Sequence, residues 1–283
     1  MKKVRLLLPM IILSLCTFFQ IGLSWASGIN VLTLDESRVG VQSNSYGSLN
    51  FNFAMGDSFA TVRNDLLNIA NFGPGGTIPR SVNLLPGVSE LTPAALATAD
   101  VFVQPLMADF SPAETAALND FIYNGGGFLF FSNWAGDTGG FANSVLGATP
   151  GPDGGNASII DPSSAIVDGP FGAVTSPLAL MWHLSMTGLG PYGHEVLRTD
   201  SGYSFGATFE YGAGRIVIFN DEELFMNPPD VPYIAAPNLN SNTRILFMNS
   251  FAYVVPNAVP EPATMLLLGL GLMGLAGVRR IKH

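Results

Sequence analysis

Four consecutive large apolar residues, Phe128-Leu129-Phe130-Phe131, leave a strand with no face to turn to water. Such a strand must be covered on both sides, which is the signature of a parallel sheet flanked by helices. What precedes it fixes the unit. Ser111-Pro112-Ala113-Glu114 supplies an N-cap, a Pro at the first helical position and an acid at the third. Helical spacing then runs to about Tyr123, with Ala117, Leu118, Phe121 and Ile122 inward, and Asn124-Gly125-Gly126-Gly127 stops it. Upstream, Val101-Phe102-Val103-Gln104-Pro105-Leu106 is a second buried strand. Strand–helix–strand spacing of this kind makes right-handed crossovers.

The same reading covers the rest of the middle. Ile29 to Leu34 is a first strand ending at Asp35-Glu36, and a polar segment follows to Gly56. Phe59 to Phe72 has helical spacing, with Val62, Leu66, Leu67, Ile69 and Ala70 on one side. Residues 81–85 form a short strand, and Thr92-Pro93 opens a brief helix. Residues 136–177 are too long for a plain connection and read as a lid, an elaboration or a loop. Residues 195–198, 203–211 and 214–220 are strands, with Tyr211-Gly212-Ala213-Gly214 as a hairpin turn, and Arg244 to Tyr253 is a closing helix. The expected fold is α/β: a flavodoxin-like three-layer, mostly parallel sheet with a C-terminal hairpin.

Charge separates this middle from the two ends. Lys occurs only at positions 2, 3 and 282, and Arg5, Arg279 and Arg280 are also terminal. Between Ser27 and Ala258 there are six Arg, no Lys and 20 Asp or Glu, a formal charge of −14. An acidic chain of this kind is excluded as a general nucleic-acid binder. A single Cys excludes a disulfide framework or a Cys-based zinc site.

The N-terminus has basic residues, an apolar run from Leu6 to Leu23, then Ser24-Trp25-Ala26 with small residues at −3 and −1. It reads as a signal peptide over residues 1–26, its apolar run a signal helix, cleaved between Ala26 and Ser27 after export by the Sec translocon. Cys16 falls within the discarded apolar run. That leaves an exported domain over 27–256 and a tail over 257–283.

In the tail, Val259-Pro260-Glu261-Pro262-Ala263-Thr264 precedes an apolar stretch, 263–278, and a basic end, 279–283. Sixteen residues at ~1.5 Å rise span ~24 Å against a hydrocarbon core of ~30 Å, so the stretch is a short transmembrane helix. Motif, Gly-rich apolar helix and terminal basic cluster in this order resemble the PEP-CTERM sorting signal of exopolysaccharide-making Gram-negative bacteria. The resemblance implies recognition by an exosortase near Val259, Pro260, Glu261 and Pro262. It implies a transient membrane anchor, then the cell surface or extracellular matrix.

The middle resembles a second family. Residues 92–103, 111–122 and 125–129, with Gly212-Ala213-Gly214-Arg215-Ile216-Val217-Ile218-Phe219, are similar to the class I glutamine amidotransferase-like fold, in its ThuA-like branch. Amidase members need a Cys nucleophile with His and Glu behind it. Here the strand end reads Phe131-Ser132-Asn133-Trp134 with no Cys, and Phe219-Asn220-Asp221-Glu222 stands where those members carry Phe-His-Pro-Glu. Asn220 replaces the His while Glu222 keeps the acid. ThuA-like members often place a His where Ser132 stands.

Ligands in open α/β sheets sit beyond the carboxyl ends of the strands. Those ends offer Asp35, Glu36, Asn133 and Trp134 for binding and Ser132, Asp221 and Glu222 as catalytic candidates. Such a set suits a sugar or a Ca²⁺ ion, which takes oxygen ligands; the plainer reading is strand-end turns, caps and one core Trp. No resident cofactor or metal is expected. A Ser132 nucleophile would need His183, in an apolar stretch, or His194, in a turn. Two functions follow. One is a surface or exopolysaccharide-matrix protein whose domain binds or builds without catalysis; the other is a secreted carbohydrate-active hydrolase using strand-end Asp and Glu.

Overall fold

The computed structural model describes residues 28–39, 41–44, 47–105, 110–131, 150–153, 155–180, 183–186, 189–227 and 239–256. The signal peptide and the sorting tail, with the two helices expected there, lie outside the described residues. Among the described residues no helix is long and apolar enough to cross a membrane.

Five parallel strands form the heart of the domain: β1 (Ile29–Leu32), β4 (Val82–Leu84), β5 (Val101–Gln104), β6 (Gly127–Phe131) and β15 (Gly214–Phe219). They lie side by side as β4-β1-β5-β6-β15. Numbered among themselves, the order is 2-1-3-4-5, the flavodoxin-like doubly wound arrangement. β6 lies between β5 and β15, and all five of its residues are buried. Its side chains alternate as a strand's must. Leu129 and Phe131 join one core with Val62 and Leu66 of α2 (Ala60–Leu67) and with Leu246, Phe247, Phe251 and Val254 of α5 (Ser241–Val254). Phe128 and Phe130 join the other, with Leu96 of α3 (Pro93–Leu96) and Ala117, Leu118 and Ile122 of α4 (Pro112–Tyr123). Two helical layers thus enclose one sheet.

The sheet continues beyond β15 as an antiparallel half, larger than the expected hairpin. β14 (Ser204–Tyr211) pairs with β15, and β13 (Gly193–Thr199), β8 (Asn156–Ile159) and β11 (Leu178–Ala179) follow outward. β12 (His183–Met186) pairs with β14 and with β7 (Pro150–Asp153). The segment expected as a lid, an elaboration or a loop is an elaboration where it is described: it contributes strands, as well as a small hairpin of β9 (Asp168–Gly169) and β10 (Gly172–Ala173). The polar segment after β1 likewise holds a short helix, α1 (Glu36–Val39), and a hairpin of β2 (Val41–Asn44) and β3 (Gly47–Asn50).

α2 is shorter than its periodicity predicts. Asn68 takes an extended ψ of 117°. Its side-chain oxygen accepts from the amide of Ala70, and its carbonyl from Asn71 and Phe72. An Asn that bonds nearby backbone offers the chain a turn in place of the helix. Leu67 and Ile69 consequently lie 43% and 74% exposed rather than inward.

The start of α4 matches its sequence signature. Ser111 Oγ accepts from the Glu114 amide at 3.2 Å, and Glu114 returns a bond to the Ser111 amide at 2.9 Å. The same buried carboxylate takes Arg38 Nη1 at 2.7 Å and the Leu91 amide at 3.1 Å, tying α1 and the loop after β4 to α4. Burial pushes this carboxyl up, but Arg38, the amides of Ser111 and Leu91 and the Ser111 hydroxyl outweigh it and bring it down to about 2. A depressed carboxyl stabilises the fold fully above its ordinary value of 4.5, and that contribution fades as pH falls toward 2. Glu114→Gln is expected to lower stability by about 2–3 kcal/mol at pH 7 and to flatten the loss of stability between pH 5 and 2. Urea melts across that range check both effects.

Candidate functional site

The carboxyl ends of the parallel strands gather at one edge of the domain, and the order reverses between β1 and β5, where doubly wound sheets open a crevice. On the α2/α5 side this edge is filled. Phe131 packs against Phe59 at 5.4 Å between centroids and against Phe225 at 5.2 Å, and Phe225 against Phe219 and Phe247, both at 5.2 Å.

Among the acidic candidates here, Asp35 and Asp221 hold backbone. Asp35 Oδ1 accepts from the Ser37 amide at 3.0 Å and its hydroxyl at 2.5 Å, while the Asp35 carbonyl receives Arg38 and Val39. It starts α1. Glu36 is exposed and accepts from Asn50 Nδ2 at 3.1 Å. Asp221 is fully buried and accepts from the Leu224 amide at 3.2 Å, shaping the turn that leads to Phe225. Glu222 is buried beside it. Asp35 and Glu36 stand after β1, and Asp221 and Glu222 after β15, with β5 and β6 between the two strands. Ser132, Asn133 and Trp134 lie outside the described residues.

The unpartnered groups at this edge are neutral. Gln104, the last residue of β5, is fully buried, and among the described residues neither its amide oxygen nor its nitrogen has a partner. Asn220 Nδ2, Thr33 Oγ1 and Ser58 Oγ are likewise buried and unpartnered. By the two-residue alternation, Gln104 falls on the side of Phe102, and Asn220 on that of Ile218, both facing the α4 layer. Sequence reasoning passed over Gln104, although a Gln within a buried Val-Phe-Val run was a legible signal. A buried amide without a partner costs about 1–3 kcal/mol, so a group that satisfied it would gain that much.

The histidines stand elsewhere. His183 lies on β12 in the antiparallel half, its backbone paired with Asp153. His194, at the start of β13, places Nε2 2.7 Å from Asp161 Oδ2, and Ser163 Oγ donates to the other carboxylate oxygen at 2.6 Å. The Ser163 hydroxyl, then His194, holds the Asp161 carboxyl below its ordinary range. The carboxylate sits between Ser and His, so the imidazole does not address the hydroxyl as a base would. Among the described residues no group of three or more His, Cys, Asp or Glu converges as a metal site.

The glycines that carry the family resemblance lie at the opposite, amino edge of the sheet. A Cβ on Gly127 would stand 2.2 Å from the Val254 carbonyl, and one on Gly214 2.1 Å from that of Ile122. They let α4, α5 and the β14–β15 turn close on the strand starts.

Residues 258–280 match the PEP-CTERM protein-sorting motif. No curated protein matches the chain. Among solved structures, the mmIFT52 N-terminal domain is 12% identical with a TM-score of 0.55, over 83% of this chain and 99% of that one. A cytoplasmic protein from Salmonella typhimurium is 14% identical with a TM-score of 0.51, over 80% and 99%. The neighbours also include a protein described as ThuA-like from Bacteroides uniformis, 10% identical with a TM-score of 0.48, over 81% and 91%. At these identities the likeness to the first two is one of fold alone.

Proposed function

We propose that the chain is exported by the Sec translocon, sorted by an exosortase acting at its tail, and displayed at the cell surface or in exopolysaccharide as a binding or structural domain, not an enzyme. The match of residues 258–280 to the sorting motif carries the first part, since that motif implies an exported protein recognised by an exosortase. The second part is supported by how the strand-end groups are used. Asp35, Glu36 and Asp221 are engaged with neighbouring backbone and amide groups. Among the described residues, the buried groups left without a partner at this edge are the neutral amides of Gln104 and Asn220 and the hydroxyls of Thr33, Ser58 and Ser204. These groups are neutral and buried, and they do not supply the paired acid and base of sugar hydrolysis.

The test uses cells that do or do not make an exosortase. With it, the intact mass of the chain drops by its tail; without it, or with Pro260→Ala and Glu261→Ala together, the full tail is retained in the membrane fraction. Tail loss that ignored both changes would overturn the sorting reading. Retention of the processed protein on native exopolysaccharide tests the domain. Glu36→Ala, which removes an exposed acceptor at the strand carboxyl ends, is expected to weaken retention with stability changed by no more than about 0.5 kcal/mol. Equal retention of both proteins, or hydrolysis of the polymer, would overturn the binding reading.

A further inference from the structure

The two ends of the domain leave it side by side, at the amino edge of the sheet. Gly28 opens β1, and Pro256 follows α5. Arg80, buried just before β4, donates to the Pro256 carbonyl at 3.1 Å and to the Gly28 carbonyl at 3.4 Å, with the Asp100 carboxylate 3.8 Å away. Asp100 in turn accepts from the Asn30 amide at 2.8 Å. The end of α5 is pinned to the same edge by two further strands. Arg215, in β15, donates to the Tyr253 carbonyl at 3.3 Å, and Gly127, opening β6, stands against Val254. Pro256 also lines a cleft of about 450 Å³ with Ala97, Asp100 and Asn124, all at this edge.

Only residues 257–262 separate Pro256 from the apolar stretch of the tail. Fully extended, six residues reach about 20 Å. A domain of this length is about 45 Å across by the usual scaling of its radius of gyration. The tether is therefore shorter than the domain is wide, and it starts from a carbonyl clamped by a buried Arg. We propose that, while the tail holds the chain, the amino edge of the sheet faces the lipid surface and the strand carboxyl ends, with Gln104 and Asn220, face away from it. The edge carries Asp100 and Asp120 and sits near the bilayer because of the short tether, with no need of attraction to anionic headgroups. The leader, leaving from Gly28, holds the same edge before it is cleaved. The candidate binding edge is then open to soluble polymer throughout sorting.

This orientation rests on the tail being a membrane-engaging sorting signal, and the experiment separates the two. Residues 27–283 contain no Cys, so one introduced by Ala97→Cys, at the amino edge, or by Glu90→Cys, beyond the carboxyl end of β4, is the sole labelling site. Each labelled chain is reconstituted with phosphatidylcholine–phosphatidylglycerol vesicles bearing nitroxide headgroups. We expect both chains to float with the vesicles, quenching at position 97 to exceed that at 90 several-fold, and chains truncated after Pro256 to show neither. Flotation with equal quenching, or stronger quenching at 90, overturns the orientation alone. Failure to float overturns the anchoring reading, and the orientation with it.

Discussion

Gly214→Ala is expected to cost more than about 3 kcal/mol, enough to leave little folded protein. The added Cβ would lie 2.1 Å from the Ile122 carbonyl oxygen and 2.5 Å from that of Gly126, both backbone atoms. Neither side can yield cheaply. β15 is hydrogen-bonded to β6 on one edge and β14 on the other, so moving Gly214 breaks one ladder. Ile122 closes α4, and the Ala213 amide already donates to the neighbouring Tyr123 carbonyl at 2.9 Å. Overpacking a flexible side chain costs about 1–3 kcal/mol, and backbone on both sides takes this case above that range. Gly75→Ala is the matched control: its Cβ meets nothing within 4 Å, so its effect should stay within about 0.5 kcal/mol. Urea melts of the two variants decide the matter. A drop below about 1 kcal/mol for Gly214→Ala would mean that α4 and the β14–β15 turn are not clamped as described.

This result bears on what the sequence could tell. The Gly-rich turns that carry the amidotransferase-like resemblance are packing devices at the amino edge, and they report the fold faithfully. Central strands were legible for the same reason: β5 and β6 are apolar on both faces, and only a doubly covered sheet accommodates them. The capping box at Ser111 and Glu114 was legible because its partners are three residues apart. What could not be read depends on distant partners. Arg38 meets Glu114 across 76 residues, and no local pattern announces it. Hairpin β2–β3 and the strands within 150–179 are only two to four residues long, too short for a hydrophobic alternation to set them apart from loop. At the site, Asp35 and Asp221 stood out as acids at strand ends, whereas their use as caps became visible only with their amide partners in place. Gln104 was hidden by the opposite effect, a polar residue read as one more member of a buried strand.

Asn249→Leu is the second large loss expected, again of about 3 kcal/mol, because the change strands a whole loop. Asn249 is fully buried on α5. Its Nδ2 donates to the Gly172 carbonyl at 2.9 Å and reaches that of Ile166 at 3.5 Å, while Oδ1 accepts from the Phe171 amide at 3.0 Å. One side chain therefore pairs three backbone groups of the segment between β8 and β11. Leu fills a similar volume but offers none of these bonds, and each buried group left unpartnered costs about 1–3 kcal/mol where water cannot replace it. The loop also carries Phe171, whose ring lies 5.1 Å from Phe72, itself edge-on to Phe251 of α5 at 5.3 Å. Losing the amide anchor thus loosens an aromatic contact with the main core. For a domain of this size the melting temperature should fall by roughly 10 °C, with faster hydrogen exchange at Phe171. The ion pair by which Arg244 of the same helix holds Asp65 of α2 gives the contrast. It is bidentate, at 2.6 and 2.7 Å, yet the Arg side chain is 42% exposed. The Asp65 side chain is only 9% exposed, but removing the half-exposed Arg opens its carboxylate to water, so Arg244→Ala should cost about 1–2 kcal/mol, less than the loss at Asn249. Were the two variants equally destabilised, the buried amide would not be what holds the loop, and packing around Phe171 would have to carry the whole effect.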